Sequence, residues 1–236
     1  MALVEIRTSP LATQVEPVLG DQEAAPTQCG VVDAFSPCVL GFGGEASPQP
    51  AAQLERSGVP AAAQEYYFKR LHHIVLPNVR RLQDAFRDLN LEVIHTRIQS
   101  LTKDGRDRSV GHRRLGLHAA PGSKEAEFLP EVAPKGDEII INKTASGVFN
   151  ATNLEYILRN LNITGLFVTG VYTNECVSTA IRDACDLGFY VTLIEDGCAT
   201  VTEELQNATI RTVKDRYARV LSTQEAIKEI RAVVDE

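Results

Sequence analysis

The chain has 236 residues, of which 44% are hydrophobic and 23% charged, and these values are typical of a single soluble α/β domain with a sizeable core. Its 24 Lys and Arg residues against 31 Asp and Glu residues give a net charge of −7, which argues against a nucleic-acid partner. No run approaches the roughly 20 apolar residues that span a bilayer, and residues 1–20 lack the basic start and apolar run of a secretory signal. We therefore expect a cytoplasmic protein with no membrane partner.

Cysteine usage agrees with a reducing compartment. The number of cysteines is odd and no C-x-x-C spacing occurs, which argues against a disulfide framework and a zinc ribbon. The five are Cys29, Cys38, Cys176, Cys185 and Cys198.

The amino-terminal part divides into three stretches. Residues 1–26 are rich in Pro, Ala, Thr and Glu without a sustained period, which indicates a mobile arm or a partner-wrapping extension ahead of one domain over residues 27–236. The apolar run 29–32 stops at Asp33, a pattern that predicts a buried parallel strand with an acid at its carboxyl end. The Gly, Pro and Ala-rich stretch 37–60 is too long for an ordinary connection, so we expect a lid or a flexible insertion there.

The rest of the chain alternates between helices and strands. Apolar residues at three and four spacing predict an amphipathic helix over 61–89 with a kink at Pro77. Strands are predicted at 91–96, 138–142, 165–169, 190–195 and 218–222, and helices near 152–161, 176–187, 203–217 and from 223 to 233. This alternation predicts βαβ units, and hence a three-layer α/β/α Rossmann-like fold whose mostly parallel sheet has helices on both faces.

Three reactive side chains fall at predicted strand ends. Asp33 follows the first strand, Lys143 ends the strand at 138–142, and Cys176 opens a helix after the strand at 165–169. Ligands of open α/β sheets bind beyond the carboxyl ends of the strands. A helix start and a nearby ammonium both lower the pKa of a thiol, so Cys176 is a candidate nucleophile. Position alone is more typical of a small buried hydrophobic cysteine.

Two motifs carry a family resemblance. The run 170–177, Gly-Val-Tyr-Thr-Asn-Glu-Cys-Val, resembles the signature of the isochorismatase-like cysteine hydrolase superfamily, as do the residues after it: Thr179, Ala180, Asp183, Ala184, Gly188, Glu195 and Asp196. The segment after the family's catalytic lysine is matched by Lys143, Ser146, Phe149, Thr152 and Leu154. Within the superfamily the chain looks nearest the ureidoacrylate, biuret and N-carbamoylsarcosine amidohydrolases. The resemblance implies a doubly wound sheet of six parallel strands and a homodimer or homotetramer.

The resemblance also implies the site. Its triad becomes Asp33, Lys143 and Cys176, with a cis peptide at Val171–Tyr172 and an oxyanion hole formed by the backbone N–H groups of Tyr172 and Cys176. The first motif departs from the family pattern, because no Gln follows Asp33 where the family usually has one.

Substrate contacts are expected from two places. Residues in or beside the matched motifs are expected to line the pocket: Phe35, Phe149, Thr173 and Asn174. Arg97 and Gln99 follow the second strand and are placed to clamp a carboxylate or ureido group. Nicotinamidases of the superfamily bind a metal through an Asp-x-His-x-His arrangement, which does not occur in this sequence. We therefore expect a small-molecule substrate, no metal and no cofactor.

Three functional hypotheses remain open. The first is a cysteine-dependent amidohydrolase that cleaves a small carbamoyl, ureido or primary amide through a thioester and releases ammonia. The second is hydrolysis of the vinyl ether of isochorismate to release pyruvate, a reaction that relatives often perform without the cysteine, so Cys176 favours the first. The third is a non-catalytic binding relative, which is supported by the departure of the first motif from the family pattern.

Overall fold

Parallel strands form the framework of the molecule. The computed structural model describes residues 37–42, 60–150 and 152–234, and within them six strands form one sheet. The strands are β1 (Pro37–Phe42), β2 (Glu92–Ile98), β3 (Ile139–Lys143), β4 (Gly165–Val171), β5 (Tyr190–Ala199) and β6 (Arg219–Leu221). They lie in the order β3-β2-β1-β4-β5-β6, and each neighbouring pair is parallel. The chain reverses its direction of travel across the sheet between β1 and β4, which is where such sheets bind ligands.

Strand β1 corrects the expectation for the stretch 37–60. Residues 37–42 were assigned to a lid or insertion, but they form a strand that pairs with β2 on one side and β4 on the other. Ladder hydrogen bonds to two neighbours outweigh the Gly and Pro-rich composition, and a proline is tolerated at the first residue of a strand. The strand expected at 29–32 lies outside the described residues, as do residues 43–59.

The first long helix has the predicted extent and a specific irregularity. It runs through α1 (Ala61–Arg70), a π-helical turn (Leu71–Val75) and α2 (Leu76–Asp88). Proline lacks an N–H and its ring crowds the carbonyl four residues earlier, so a widened turn just before Pro77 accommodates it. The remaining α-helices of the described residues are α3 (Val110–Arg114), α4 (Leu154–Asn160), α5 (Ser178–Asp186), α6 (Glu203–Val213) and α7 (Thr223–Val234).

Helices cover both faces of the sheet. Successive residues of a strand point to opposite faces, and in β4 Leu166 and Val168 join a core cluster with residues of α4 and α5. Phe167 between them instead packs against Phe86 of α2, with ring centroids 5.5 Å apart, in a cluster that includes α7. The predicted α/β fold, a parallel sheet with helices, is confirmed. Among the described residues, no helix has the length and apolar character needed to cross a membrane.

Candidate active site

Lys143 and Cys176 meet at the carboxyl edge of the sheet. Lys143 is the last residue of β3, and Cys176 lies in a π-helical turn (Thr173–Val177) that follows β4. The Lys143 Nζ donates to Cys176 Sγ at 3.1 Å and to the carbonyl of Ala145 at 2.9 Å. Both side chains are buried, with 3% and 2% of their surface exposed. An ammonium in contact with a sulfur favours the thiolate over the thiol, whereas burial by itself favours the neutral thiol.

A second buried cysteine lies in a different environment. Cys198 in β5 is fully buried, and its Sγ lies 3.9 Å from the carbonyl oxygen of Val168. Burial is the largest influence on this thiol and raises its pKa to about 12. Cys198 is therefore inert at neutral pH, whereas Cys176 has an ammonium at its sulfur.

Backbone hydrogen bonds shape the turn that carries Cys176. The Val171–Tyr172 peptide bond is cis, in agreement with the resemblance to the family. The carbonyl of Tyr172 accepts from the N–H of Glu175 at 3.1 Å and from that of Val177 at 3.2 Å. These bonds fold the turn around Cys176 at the end of β4.

Side chains of α6 and of the residue that follows β5 hold the same turn. Thr173 is fully buried and its hydroxyl donates to Gln206 Oε1 at 2.7 Å, while Gln206 Nε2 donates to the carbonyl of Cys198 at 3.5 Å. Asn174 Oδ1 accepts from the Thr200 hydroxyl. Thr173 and Asn174 were expected to line the substrate pocket. The structure gives each of them an internal hydrogen-bond partner that holds the turn, and their contact with a substrate stays a prediction.

The other predicted substrate contacts within the described residues are Phe149, Gln99 and Arg97. Phe149 packs against Phe189, with ring centroids 6.0 Å apart, in the core cluster that contains Cys176. The backbone N–H of Gln99 donates to the carbonyl of Lys143 at 3.1 Å, so Gln99 lies beside the lysine. The guanidinium group of Arg97 has three internal contacts. It donates to Asn142 Oδ1 at 2.8 Å and to the Ala126 carbonyl at 2.9 Å, and it lies over the ring of Phe128.

Asp33 and Phe35 lie outside the described residues. The prediction for Asp33 depended on a first strand that ends just before it. The first described strand, β1, begins at Pro37 and so comes after Asp33 in the chain. The acid of the predicted triad therefore stays a prediction.

Arg97 near the end of β2 and Gln99 directly after that strand were predicted from the sequence, but no site residue was predicted further along the segment between β2 and β3. The N–H of Ser109 in that segment donates at 3.0 Å to the carbonyl of Thr144, the residue after Lys143. His112, three residues further on, is buried, and burial first, then the charges of Lys143 and Arg108, lower its pKa to about 4. The sequence did contain one indication of the short helix that carries His112. Ser109 is a typical helix-capping residue, and its hydroxyl accepts from the His112 N–H.

Comparison with known proteins places this arrangement in a family. The model of the isochorismatase domain matches residues 67–225, so the chain belongs to the isochorismatase family, and the resemblance drawn from its motifs is confirmed. The ureidoacrylate amidohydrolase RutB of Variovorax paradoxus is 37% identical over 97 residues, which cover 41% of this chain and 36% of that protein. The N-carbamoylsarcosine amidase of an Arthrobacter species is 24% identical over 164 residues, which cover 67% of this chain and 62% of that protein.

A solved structure supports the fold. The crystal structure of a cysteine hydrolase from Pseudomonas syringae pv. phaseolicola 1448A superposes with a TM-score of 0.69 at 19% sequence identity. The match covers 84% of this chain and 93% of that one. At this level of identity the likeness concerns the α/β architecture alone.

Proposed function

We propose that the protein is a cysteine-dependent amidohydrolase that cleaves a small carbamoyl, ureido or primary amide and releases ammonia. The observation that carries the proposal is the 3.1 Å contact between Lys143 Nζ and Cys176 Sγ at the carboxyl edge of the sheet. A thiolate held in this way is a strong nucleophile toward a carbonyl carbon. The relatives named as ureidoacrylate amidohydrolase and N-carbamoylsarcosine amidase support the choice of an amide bond.

The reaction has two halves. In the first, Asp33 accepts the thiol proton, the thiolate of Cys176 adds to the amide carbonyl, and the backbone N–H groups of Tyr172 and Cys176 bind the oxyanion. The C–N bond then breaks as Asp33 returns the proton to the leaving nitrogen, which departs as ammonia. In the second half, water adds to the thioester and gives a proton to Asp33. The C–S bond breaks, the acid product leaves, and the proton returns to the sulfur.

Lys143 is the fixed electrostatic element of this scheme. Its ammonium stabilises the thiolate before attack and again when the thioester breaks. Gln99 and Phe149 complete the proposed pocket, because Gln99 is bonded to the Lys143 backbone and Phe149 packs in the cluster of Cys176.

The test is ammonia release from a panel of small primary amides, N-carbamoyl compounds and ureides. The wild-type chain is compared with Cys176→Ser, and pyruvate release from isochorismate is followed in parallel. We expect ammonia from at least one compound and a loss of about 10³-fold or more in the variant, since the nucleophile is removed. Cys198→Ser is the matched control, because it removes a buried thiol away from Lys143, and it should keep the activity.

Other outcomes decide between the hypotheses. Pyruvate release that survives in Cys176→Ser, with no ammonia from any compound, would replace the amidase by the vinyl-ether reaction. No product in either assay would favour a binding protein.

Comparing Asp33→Asn with Glu45→Gln identifies the acid, because Glu45 is the first acidic residue after β1 in the sequence. Loss of ammonia release in Glu45→Gln alone would remove Asp33 from the triad.

A further inference from the structure

The segment 99–122, between β2 and β3, is hydrogen-bonded to the end of the strand that carries Lys143. At its start, the N–H of Gln99 donates to the Lys143 carbonyl at 3.1 Å. In its middle, the N–H of Ser109 donates to the Thr144 carbonyl at 3.0 Å. Two residues on the catalytic side of β3 therefore hold the segment, so its inner side chains have fixed positions relative to the Lys143 and Cys176 pair.

Internal hydrogen bonds make the segment a defined structure. The Asp107 carboxylate accepts from the Leu101 N–H at 2.8 Å and from the Thr102 hydroxyl at 2.6 Å. Arg108 donates to the carbonyls of Gly105 and Leu117, at 2.8 Å each. A segment held at this many points can present one side chain with the precision that binding requires.

His112 is the buried titratable side chain of this segment. Only 3% of its surface is exposed, and its Nδ1 is a buried atom with no hydrogen-bond partner among the described residues. Buried polar atoms are nearly always hydrogen-bonded, and an exception needs an explanation such as a ligand or an ordered water. The imidazole also lies within electrostatic reach of Lys143, whose positive charge acts on its titration.

The chemistry of His112 suits a neutral ligand group. Burial, and then the charges of Lys143 and Arg108, lower its pKa to about 4. At physiological pH the ring is therefore neutral, with one nitrogen that donates and one that accepts a hydrogen bond. An amide or ureido group also carries both donors and acceptors, and it can pair with either tautomer without burying a net charge.

We propose that His112 is a substrate-binding residue, whose Nδ1 exchanges a hydrogen bond with the amide or ureido group of a substrate held beside Lys143 and Cys176. The assignment rests on the proposed amidohydrolase function for its choice of ligand. It adds a specificity determinant outside the matched family motifs, on a segment that the sequence patterns leave as a polar loop.

A set of substitutions isolates the Nδ1 atom. The amide group of Asn reaches the position of Nδ1, whereas that of Gln reaches the position of Nε2. His112→Asn should therefore keep binding, while His112→Gln and His112→Leu lose it. His118→Leu is the matched control, because His118 lies on the same segment and its Nε2 is also buried without a partner among the described residues. The Asn and Gln variants keep the test decisive even if His112→Leu does not fold.

The measurement separates binding from turnover. Iodoacetamide alkylates Cys176, and each compound of the amide and ureide panel is assayed for protection of that thiol, alongside KM and kcat for ammonia release. We expect the protection constant and KM to rise about 10-fold or more in His112→Gln and His112→Leu, the loss typical of one hydrogen bond in a buried site. His112→Asn and His118→Leu should stay within about 3-fold of wild type on the same scale. The alkylation rate without a ligand should not change.

Each remaining outcome has a definite meaning. Equal constants in His112→Asn and His112→Gln, or a loss in His118→Leu as large as that in His112→Leu, would overturn the role of Nδ1. Protection without ammonia release would overturn the hydrolytic function and leave the His112 assignment to be judged from the protection constants. Ammonia release with the same KM in every variant would overturn His112 alone. A panel in which no compound protects Cys176 or yields ammonia would overturn both.

Discussion

At the scale of single residues, the site depends on partners that lie far away in the sequence. Thr173 and Asn174 come shortly before Cys176 in the chain, yet their partners are Gln206 and Thr200, which are 33 and 26 residues further along the chain. The motif predicted that this run of residues forms the site. It could not predict the hydrogen-bond partners of these side chains, because those partners lie in α6 and directly after β5. Lys143 and Cys176 are the predicted residues that the structure brings into contact, and each prediction follows directly from the place of the residue at a strand end.

Gln206 gives a residue-scale prediction. It accepts from the buried Thr173 hydroxyl and donates to the Cys198 carbonyl, so Gln206→Leu leaves the hydroxyl without its partner. We expect the free energy of unfolding to fall by about 1–3 kcal/mol, the penalty for an unsatisfied buried polar group. Ammonia release should fall as well, because the turn that carries Cys176 loses its support. Denaturant titration and the ammonia assay measure the two effects.

The control for this variant lies on the same helix. Asn207 is exposed in α6, and Asn207→Ala should change stability by no more than about 0.5 kcal/mol, as is usual for exposed positions. Unchanged stability and unchanged ammonia release in Gln206→Leu would contradict the positioning role of Gln206.

At the scale of elements, strand β1 and segment 99–122 were the hardest parts to predict. The composition of residues 37–60 indicated a lid, because Gly and Pro dominate it and a local pattern contains no information about the neighbours in a sheet. The long helix was easier to predict, since its apolar residues repeat over eight turns and Pro77 has a direct steric effect. Segment 99–122 has no period at all, and its structure results from side-chain bonds such as those of Asp107.

Gly105 gives an element-scale prediction within segment 99–122. Its φ is +64°, and a Cβ there would lie 2.6 Å from Arg108 Nε and 2.6 Å from His118 Cδ2. Gly105→Ala therefore combines backbone strain with a clash, and we expect the free energy of unfolding to fall by about 2–3 kcal/mol. Thermal denaturation measures the loss. Binding of the amide panel should weaken too, since the segment carries His112.

Gly116 is the matched control for Gly105. It has a similar φ of +68°, but a Cβ there meets nothing within 4 Å. Gly116→Ala thus adds only the backbone strain, of about 1 kcal/mol. Equal losses in the two variants would show that the contacts of Gly105 with Arg108 and His118 do not constrain the segment.

At the scale of the whole molecule, an ionic cluster joins three elements at the amino-terminal side of the sheet. Glu138, just before β3, accepts from Arg87 of α2 at 2.6 and 2.9 Å and is 2.8 Å from His95 Nε2 of β2. Burial raises the pKa of Glu138, but hydrogen bonds from Arg87, the Lys135 N–H and His95 outweigh it and lower the value to about 2. For His95 burial acts in the opposite direction, because its charged form is the protonated one, and it lowers the pKa of His95 despite the nearby Glu138.

The pH dependence of stability follows from these directions. A carboxyl whose pKa is lower in the folded chain stabilises the fold above its ordinary value of 4.5, and this contribution is lost as the pH falls toward 2. Glu138→Gln should therefore lower the free energy of unfolding at pH 7 by about 2 kcal/mol, typical of hydrogen bonds to a charged group. The difference from wild type should shrink as the pH falls from 4.5 to 2. Denaturant titrations across this range measure both effects.

A surface ion pair provides the comparison. Glu155 and Arg159 are 3.5 Å apart on exposed α4 positions, so Glu155→Gln should change stability by less than about 1 kcal/mol. A difference between Glu138→Gln and wild type that stays constant from pH 7 to pH 2 would contradict the ionised state assigned to Glu138.

The central position of β1 has a consequence for how the chain folds. Cys38 pairs with Leu166, which is 128 residues later, so the sheet closes only after more than half of the chain is in place. Contacts between such distant residues require a large loss of chain entropy before the contacts themselves stabilise the chain, and this slows folding. During synthesis, β1 and β2 can pair early, but β1 keeps one edge without its β4 neighbour until residues 165–171 emerge. The strand order that brings Lys143 and Cys176 together also makes the completed candidate site a late event in folding.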